Sequence, residues 1–425
     1  MIVIVEPSLA LPLVAMSVTF RAGSAYDPPG KEGLARLVAR MLRRGTTRLR
    51  ATEVEDAVDL LGGEFGTEVS CGASFVGSEV IARNVDPFVA LAAELLGDPA
   101  FDAGELAKLV REALAEIVEA RDNDRGLASR ALRRTMYAGH PYARRTSGYT
   151  TTLGAITRDD VVAFYRRHYV RANAVVCVSG LVTEAEGHAL AERLLARIPE
   201  GVASPDLVPE TPAPSGRTLV FVDKPERSQT QLYVGARGTH ARDDDHLALH
   251  VANTIFGGTF TARLMREVRS KRGWSYGASS RLGLDRRREA FTMWTAPAAA
   301  DAAPCLALEL ELLVAWRDGG VTEDELTFTK SYLARSHVFD IDTASKRAQQ
   351  KVEAVLLDLP PGYHEGYVAG VKAVTKDEAD AAVRRRIAPD DLVIAVVGTH
   401  ADVGAAIEAA VPGLARAEVV PYDLE

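Results

Sequence analysis

The chain repeats itself along its length, and this duplication limits the folds that are open to it. Thr157 begins a helix-start pattern that leads into an apolar strand ending at Gly180, and the same order recurs from Thr375 to Gly398. Both pairs of residues are separated by 218 positions. A repeat of this length predicts two homologous domains rather than a solenoid of short units.

A proline-rich stretch separates the two copies. Residues 203–217 contain Pro205, Pro209, Pro212 and Pro214, a composition typical of a semi-rigid linker. A chain of 425 residues also exceeds what a single hydrophobic core usually serves. We therefore predict an N-terminal domain at 1–202, a linker at 203–217 and a C-terminal homologous domain at 218–425.

Each copy mixes strand and helix patterns. Short β-branched and apolar runs predict strands at residues 2–5, 13–20, 76–81, 174–179, 219–222, 231–234 and 290–294. Capping boxes predict helix starts at Thr52, Thr183, Thr322 and Thr375. The fold class is therefore α+β, with a mostly antiparallel sheet backed by helices in each domain.

Charge and motifs exclude several function classes. The net charge of -8 argues against a nucleic-acid surface, and the arginine clusters within 43–50 and 384–386 are predicted to be solvated helix faces. The three cysteines, Cys71, Cys177 and Cys305, lie too far apart to indicate a disulfide framework or a metal knuckle. There is no phosphate-binding loop, nucleophile elbow or dinucleotide fingerprint.

The apolar N-terminus is better explained by strands than by a signal peptide. It lacks a positively charged start and is interrupted by Glu6, Pro7 and Pro12. No other stretch reaches the ~20 apolar residues of a membrane span. The default expectation is the cytoplasm, with an export signal removed from a longer precursor left open as an alternative.

Residues 30–46 closely resemble the metal-site helix of the pitrilysin (insulinase-type, inverzincin) metallopeptidases. The segment reads Gly-Lys-Glu-Gly-Leu-Ala-Arg-Leu-Val-Ala-Arg-Met-Leu-Arg-Arg-Gly-Thr. That family has His-x-x-Glu-His there, but this chain has Arg36, Ala39 and Arg40. Arginine offers no lone pair to a metal, and alanine cannot accept a proton. The resemblance therefore implies a peptidase frame with a degenerate metal site and no metal bound in this chain.

The resemblance also suggests where the third metal ligand of the family would fall. The run at 110–119, Val-Arg-Glu-Ala-Leu-Ala-Glu-Ile-Val-Glu, resembles the helix that carries it, with Glu116 in that place. We hypothesise that Arg36 or Arg40 pairs with Glu116 and fills the vacated site, since a planar guanidinium suits a carboxylate. The alternative is that both arginines simply face solvent.

A second family signature lies in the C-terminal half. Residues 257–276 read Gly-Gly-Thr-Phe-Thr-Ala-Arg-Leu-Met-Arg-Glu-Val-Arg-Ser-Lys-Arg-Gly-Trp-Ser-Tyr, which places the family's arginine and tyrosine at Arg269 and Tyr276. The resemblance implies that both contact the peptide near the scissile bond. Taken without the motif, they would be ordinary surface residues, and Gly257 and Gly258 would read as a helix C-cap and turn.

A competing metal constellation is weaker. His246 and His250 stand four residues apart, with His240 shortly before them, and such a pair can bind a divalent ion. No glutamate lies between them and no third ligand has a fixed spacing. The segment reads better as an amphipathic helix that ends in glycine.

The resemblance implies a clam-shell of two homologous halves and a specific division of labour. The favoured reading is a non-catalytic subunit of a heteromeric zinc endopeptidase, which helps bind peptides and contributes Arg269 and Tyr276 to the active site of a homologous, zinc-motif-bearing partner. Zinc is then expected in the partner, in a heterodimer or larger complex. The alternatives are a structural, core-like homologue without proteolytic role and a stand-alone hydrolase that uses an unrecognised site.

Overall fold

Two β-sheets backed by helices form the framework of the protein, so the predicted α+β class is confirmed. The computed structural model describes residues 1–425. The strands are β1 (Ile2–Pro7), β2 (Leu13–Phe20), β3 (Gly63–Val69), β4 (Ser74–Ile81), β5 (Ala174–Gly180), β6 (Arg217–Asp223), β7 (Gln231–Arg237), β8 (Ser275–Leu282), β9 (Ala290–Pro297), β10 (Val393–Gly398) and β11 (Leu414–Pro421). All the strands expected from the sequence are present, whereas β3, β8 and β11 were not anticipated.

The two sheets have the same strand topology. The first has the order β1-β5-β2-β4-β3, and the second has the order β6-β10-β7-β9-β8 with β11 added beside β6. In each, the pair at one side is parallel (β1 with β5, β6 with β10) and the pairs that follow are antiparallel. This equivalence confirms the duplication inferred from the sequence.

Helices cover both sheets and connect their strands. They are α1 (Leu34–Met41), α2 (Ala51–Leu60), α3 (Val85–Gly97), α4 (Ala103–Glu119), α5 (Asp124–Met136), α6 (Thr150–Leu153), α7 (Arg158–His168), α8 (Glu184–Leu194), α9 (His246–Asn253), α10 (Ala302–Gly319), α11 (Glu323–Ser336), α12 (Ala344–Leu357), α13 (Tyr367–Ala373), α14 (Lys376–Arg386) and α15 (His400–Ala409). Two π-helical segments occupy Thr254–Gly258 and Met265–Ser270. No helix combines the length and apolar character that crossing a membrane requires.

Three of the four predicted capping boxes are confirmed. The hydroxyls of Thr183, Thr322 and Thr375 each accept a hydrogen bond from the backbone N–H three residues later, where a glutamate returns the contact. The box at Thr52 is wrong, because α2 begins at Ala51 and its N-cap is Arg50. The Glu53 carboxylate accepts the Arg50 backbone N–H at 2.8 Å, so the helix starts before Thr52.

The chain divides into two compact units that exchange helices relative to the sequence repeat. The first unit contains Met1–Val118, Arg144–Val208 and Phe339–Asp358, and the second contains Glu119–Ala143, Pro209–Val338 and Leu359–Glu425. The predicted domains, 1–202 and 218–425, follow the repeat along the chain, whereas the units follow packing.

The exchanged segments include two equivalent helices, α5 and α12. Helix α12, which comes late in the chain, packs on β1 and β5 of the first sheet, where Ala348 and Val352 contact Val175 and Cys177. Helix α5, which comes early, packs on β10 and β7 of the second sheet. Each unit is therefore completed by a segment from the other half of the sequence.

Candidate functional site

Helix α1 carries Arg36, Ala39 and Arg40, which the sequence predicts to be a degenerate metal site, and it is fixed at its start by a buried carboxylate. Asp27 accepts hydrogen bonds from the backbone N–H groups of Gly33, at 2.8 Å, and Ala35, at 2.7 Å. Burial raises the pKa of Asp27 to about 7, against the effect of these two donors. The apolar side of α1 is buried in the core together with Ala39, which is 1% exposed. Arg36 and Arg40 are only partly buried.

Both arginines pair with Glu116, which lies on α4. Arg36 Nη2 is 2.8 Å from one carboxylate oxygen, and Arg40 Nη1 is 2.9 Å from the other. The hypothesised pairing is therefore present, and it involves both guanidiniums rather than one. Burial acts to raise the pKa of Glu116, but the two guanidiniums outweigh it and hold this pKa below its usual range.

The ion pairs extend along the two helices. Arg40 Nη2 lies 3.4 Å from Glu112, and Arg44 pairs with Glu112 and approaches Glu105 at 3.8 Å. Of the arginines at 43–50, Arg48 and Arg50 are largely exposed, as the predicted solvated face requires, whereas Arg44 departs from that prediction because it is partly buried against the carboxylates of α4. The signal in the sequence is the matched spacing of four residues, in Arg36 and Arg40 on α1 with Arg44 just beyond its end, and in the glutamates 112 and 116 on α4.

A cavity of about 600 Å³ opens between α1 and the edge strand β3. Its walls include Arg36 and Arg40 of α1, Arg43 and Arg44 just beyond that helix, Glu116 and residues 65–69. Arg43 donates a hydrogen bond at 3.0 Å to the carbonyl of Phe65 on that edge. The site does not fit a zinc ion, because the guanidiniums that occupy it are cationic and have no lone pair for a metal.

The second unit carries the other predicted site residues, and it brings them together. Arg269 lies in the π-helical segment, and its guanidinium carbon is 4.4 Å from the centre of the Tyr276 ring. The same guanidinium lies 4.8 Å from the ring of Phe260, a residue that the sequence reasoning did not single out. Tyr276 is 86% exposed and Phe260 is 67% exposed. A cation between two exposed aromatic rings is thus presented to solvent.

A bulge in the edge strand β8 aims Tyr276 outward. Ser275 pairs with Pro297 and Ala278 pairs with Thr295, so two residues of β8 lie opposite one residue of β9. Such bulges redirect a side chain at a sheet edge.

The glycine pair before this segment has a packing role. Gly257 lies in the last turn of a π-helical segment, and a Cβ atom on it would lie 2.4 Å from the backbone nitrogen of Ser280 on β8. Gly257 and Gly258 both lie outside the left-handed region, so the reading of a glycine C-cap is wrong. Close approach of the backbone to β8 explains Gly257 instead.

The histidines of α9 bind tyrosines. His246 forms hydrogen bonds with Thr239 Oγ1 at 2.8 Å and with the hydroxyl of Tyr363 at 3.0 Å, and His250 bonds to the hydroxyl of Tyr367 at 3.0 Å. Burial lowers the pKa of His246 to about 4, so its ring is neutral at pH 7. These contacts agree with the reading of α9 as an ordinary packed helix.

Comparisons of the sequence with known proteins identify a peptidase family. The family model described as insulinase (peptidase family M16) matches residues 3–150, and the model described as peptidase M16 inactive domain matches residues 155–333. An uncharacterized zinc protease of Rickettsia bellii is 28% identical over 268 residues, which cover 63% of this chain and 64% of that protein. A non-peptidase homolog of Helicobacter pylori, YmxG, is 22% identical over 396 residues, covering 93% of this chain and 91% of that protein.

A solved structure supports the same assignment. The peptidase M16 inactive domain from Pseudomonas fluorescens superimposes with a TM-score of 0.87 at 27% identity, over 93% of this chain and 95% of that one. The two family models together span most of residues 3–333, and the folds agree. The chain belongs to the M16, insulinase-type, family of peptidases.

Proposed function

We propose that this chain is the non-catalytic subunit of a heteromeric zinc metallopeptidase, in which it helps bind peptides and contributes Arg269 and Tyr276 to the active site of a homologous partner. The observation that carries the proposal is the stacking of Arg269 on Tyr276 at 4.4 Å, with the tyrosine 86% exposed. An exposed tyrosine held by an arginine has little value for folding, so binding is the simpler explanation of the pair.

The first unit lacks two metal ligands and the general base of a zinc peptidase, which is why the proposal includes a partner chain. Arg36 and Arg40 occupy the positions of two metal ligands, and Ala39 occupies the position of the general base. Their ion pairs with Glu116 neutralise the carboxylate that remains. The metal and the base must therefore come from another chain, which we expect to carry His-x-x-Glu-His.

The chemistry of the two residues suits a supporting role at the partner's site. The hydroxyl of Tyr276 can donate a hydrogen bond to a peptide carbonyl oxygen as negative charge develops on it. Arg269 has no carboxylate partner, and the edges of its guanidinium remain available to bind peptide carbonyls. The two rings hold the cation in place before substrate arrives, which reduces the entropy lost on binding.

A structural role without proteolysis is the second candidate. The ion-pair network of Arg36, Arg40 and Arg44 with the glutamates of α4 fills the degenerate site, which is what a scaffold that no longer needs a metal would show. The name of the Helicobacter pylori relative, a non-peptidase homolog, fits this alternative equally well.

Reconstitution distinguishes the two. Hydrolysis of an internally quenched peptide library is measured for this chain, for the His-x-x-Glu-His homologue encoded nearest to it, and for the equimolar mixture. The proposal predicts activity in the mixture well above the sum of the two separate chains, together with a heteromer in size-exclusion chromatography. Activity of the mixture equal to that of the homologue alone would favour the scaffold.

A further inference from the structure

We propose that a pocket on the second sheet recognises a carboxylate of the bound peptide, so that the chain selects peptides with an acidic side chain or a free C-terminus near the cleaved bond. This inference rests on the proposed function, since it names the peptides that this chain would favour. The pocket has a volume of about 240 Å³ and lies between α5 and strands β7, β8 and β9. This is below the size of a typical small-molecule site and suits one side chain or chain end.

Arg125 forms one side of the pocket and is oriented by two aromatic residues. Its guanidinium carbon lies 3.7 Å from the ring centre of Trp294, and its Nε donates a hydrogen bond to the Tyr233 hydroxyl at 3.2 Å. Trp294 is itself fixed, because its Nε1 donates to Gln231 Oε1 at 2.9 Å. The two Nη groups of Arg125 have no partner in the protein. A planar cation held flat against a ring leaves its edge free for a carboxylate.

The charge of the pocket is positive. Arg281, on β8, also lines it and makes no ion pair. Arg133 lines it as well, but its charge is balanced by an ion pair with Glu289. Two arginine charges therefore remain without an internal counter-ion, and an anionic group is the ligand that this charge favours.

A buried tyrosine forms a further wall of the pocket. Tyr137 lines the pocket, is 1% exposed, and its hydroxyl makes no hydrogen bond of normal geometry. Burial raises the pKa of Tyr137, so the hydroxyl keeps its proton and adds no charge to the pocket. This hydroxyl has almost no accessible surface, so the two arginines, and not the tyrosine, supply the donors that a carboxylate in the pocket would meet.

The pocket is close to Tyr276, which lies on the same strand, β8. Trp294 packs against Gly277, where a Cβ atom would lie 2.9 Å from the indole ring, and Gly277 directly follows Tyr276. Ser279 and Arg281 of the pocket lie further along β8. At about 3.3 Å per residue, Ser279 is about 10 Å from Tyr276 along the strand. The recognised carboxylate would thus lie about three residues from the peptide bond beside Tyr276.

The test is direct binding of peptides to this chain alone, so that it does not depend on hydrolysis or on a partner. Three fluorescein-labelled octapeptides have the same sequence except at one internal position and at the C-terminal group. The first has a single internal Glu and an amidated C-terminus, the second has Gln instead, and the third has Gln with a free C-terminal carboxylate. Fluorescence anisotropy measures each dissociation constant. We expect the first or third peptide to bind about tenfold or more tightly than the second, and the peptide that does so identifies the source of the carboxylate.

Arginine variants assign the effect to the pocket. Arg125→Gln and Arg281→Gln should each abolish the preference for the carboxylate peptide, and thermal unfolding checks that each variant is folded. The matched control is Arg384→Gln, which removes an exposed arginine of α14 in the same unit. Equal binding of all three peptides, or a preference that survives in both pocket variants, would overturn the inference. Failure of the reconstituted hydrolysis with an intact carboxylate preference would count against the proposed function and not against the pocket.

Discussion

The Arg36 guanidinium lies 2.8 Å from the Glu116 carboxylate, and the sequence resemblance predicts that these two positions correspond to metal ligands of the zinc-dependent peptidases. Arg40 binds the other oxygen of the same carboxylate at 2.9 Å. The two cations thus take over the electrostatic role that a divalent ion would have between these helices, and α1 stays attached to α4 without a metal.

Removal of this carboxylate should weaken the protein modestly. Glu116→Gln is expected to lower the free energy of unfolding by about 1 kcal/mol at pH 7, because the pair is partly exposed to solvent and screened by it. Urea unfolding measures the change, and Glu119→Gln, on the exposed end of α4, is the control.

The ion pairs of Glu116 should also make the stability of the protein depend on pH. The pKa of Glu116 is lowered in the folded chain, so its stabilising contribution is complete above its unfolded pKa of about 4.5 and is lost as the pH falls through the folded value. The difference between the wild-type chain and Glu116→Gln should therefore shrink below pH 4.5. A difference that stays constant down to pH 3 would show that the pair does not stabilise the fold.

Restoration of the ligands should create a metal site. In the triple variant Arg36→His, Ala39→Glu and Arg40→His, both new imidazoles face Glu116, because the arginines they replace already contact it. We expect about one zinc ion per chain after dialysis, measured by atomic emission. The additional change Glu116→Gln should remove most of it. Less than about half a zinc ion per chain in the triple variant would show that Glu116 is not placed to complete the site.

Glu309 should make stability fall as the pH rises. It lies fully buried on α10 without a cationic partner, and burial raises its pKa to about 8. Between the unfolded value of about 4.5 and pH 8, the folded chain keeps this proton and the unfolded chain releases it, so unfolding becomes easier as the pH increases. We expect a loss of roughly 2–4 kcal/mol across this range, on the scale of 1.36 kcal/mol per pKa unit.

The variant Glu309→Gln tests whether Glu309 causes this pH effect, because glutamine has nearly the same shape as glutamate and cannot ionise. Urea unfolding at pH 5 and pH 8 should show a smaller pH effect in Glu309→Gln than in the wild-type chain. Glu311→Gln, on an exposed position of the same helix, should leave the pH effect unchanged. Equal pH effects in the wild-type chain and Glu309→Gln would show that Glu309 ionises normally in the folded chain.

The sequence predicts the buried parts of this fold better than its edges. The strands β5 and β10 are apolar runs buried on both faces, and this pattern predicts them directly from the sequence. The edge strands β3 and β8 contain glycine and polar residues, because one side of an edge strand has no neighbour and selects little for apolar side chains. Each nevertheless pairs with the next strand along the chain, β3 with β4 and β8 with β9, so their polar composition and not a distant partner hides them from local patterns.

The sequence also did not predict that helices α5 and α12 each pack on the sheet of the other half. Helices α5 and α12 hold equivalent places in the two repeats, and each buries apolar residues against the sheet of the other half. Only the tertiary packing decides which sheet each one covers. At the site, the family motif located Arg269 and Tyr276, but the exposed ring of Phe260 beside them emerges only from the structure, since a single phenylalanine in a helical run usually indicates core.

The most direct test of the composite active site is the effect of Tyr276→Phe on peptide hydrolysis by the mixture of this chain with its zinc-motif homologue. The matched control is Tyr332→Phe, which removes the hydroxyl of another exposed tyrosine, on α11. If Tyr276 donates a hydrogen bond to the developing oxyanion, Tyr276→Phe lowers kcat by about 100-fold while KM and association with the partner change little. If Tyr276→Phe and Tyr332→Phe leave the same kcat as the wild-type mixture, this chain contributes no catalytic group and the central claim is wrong.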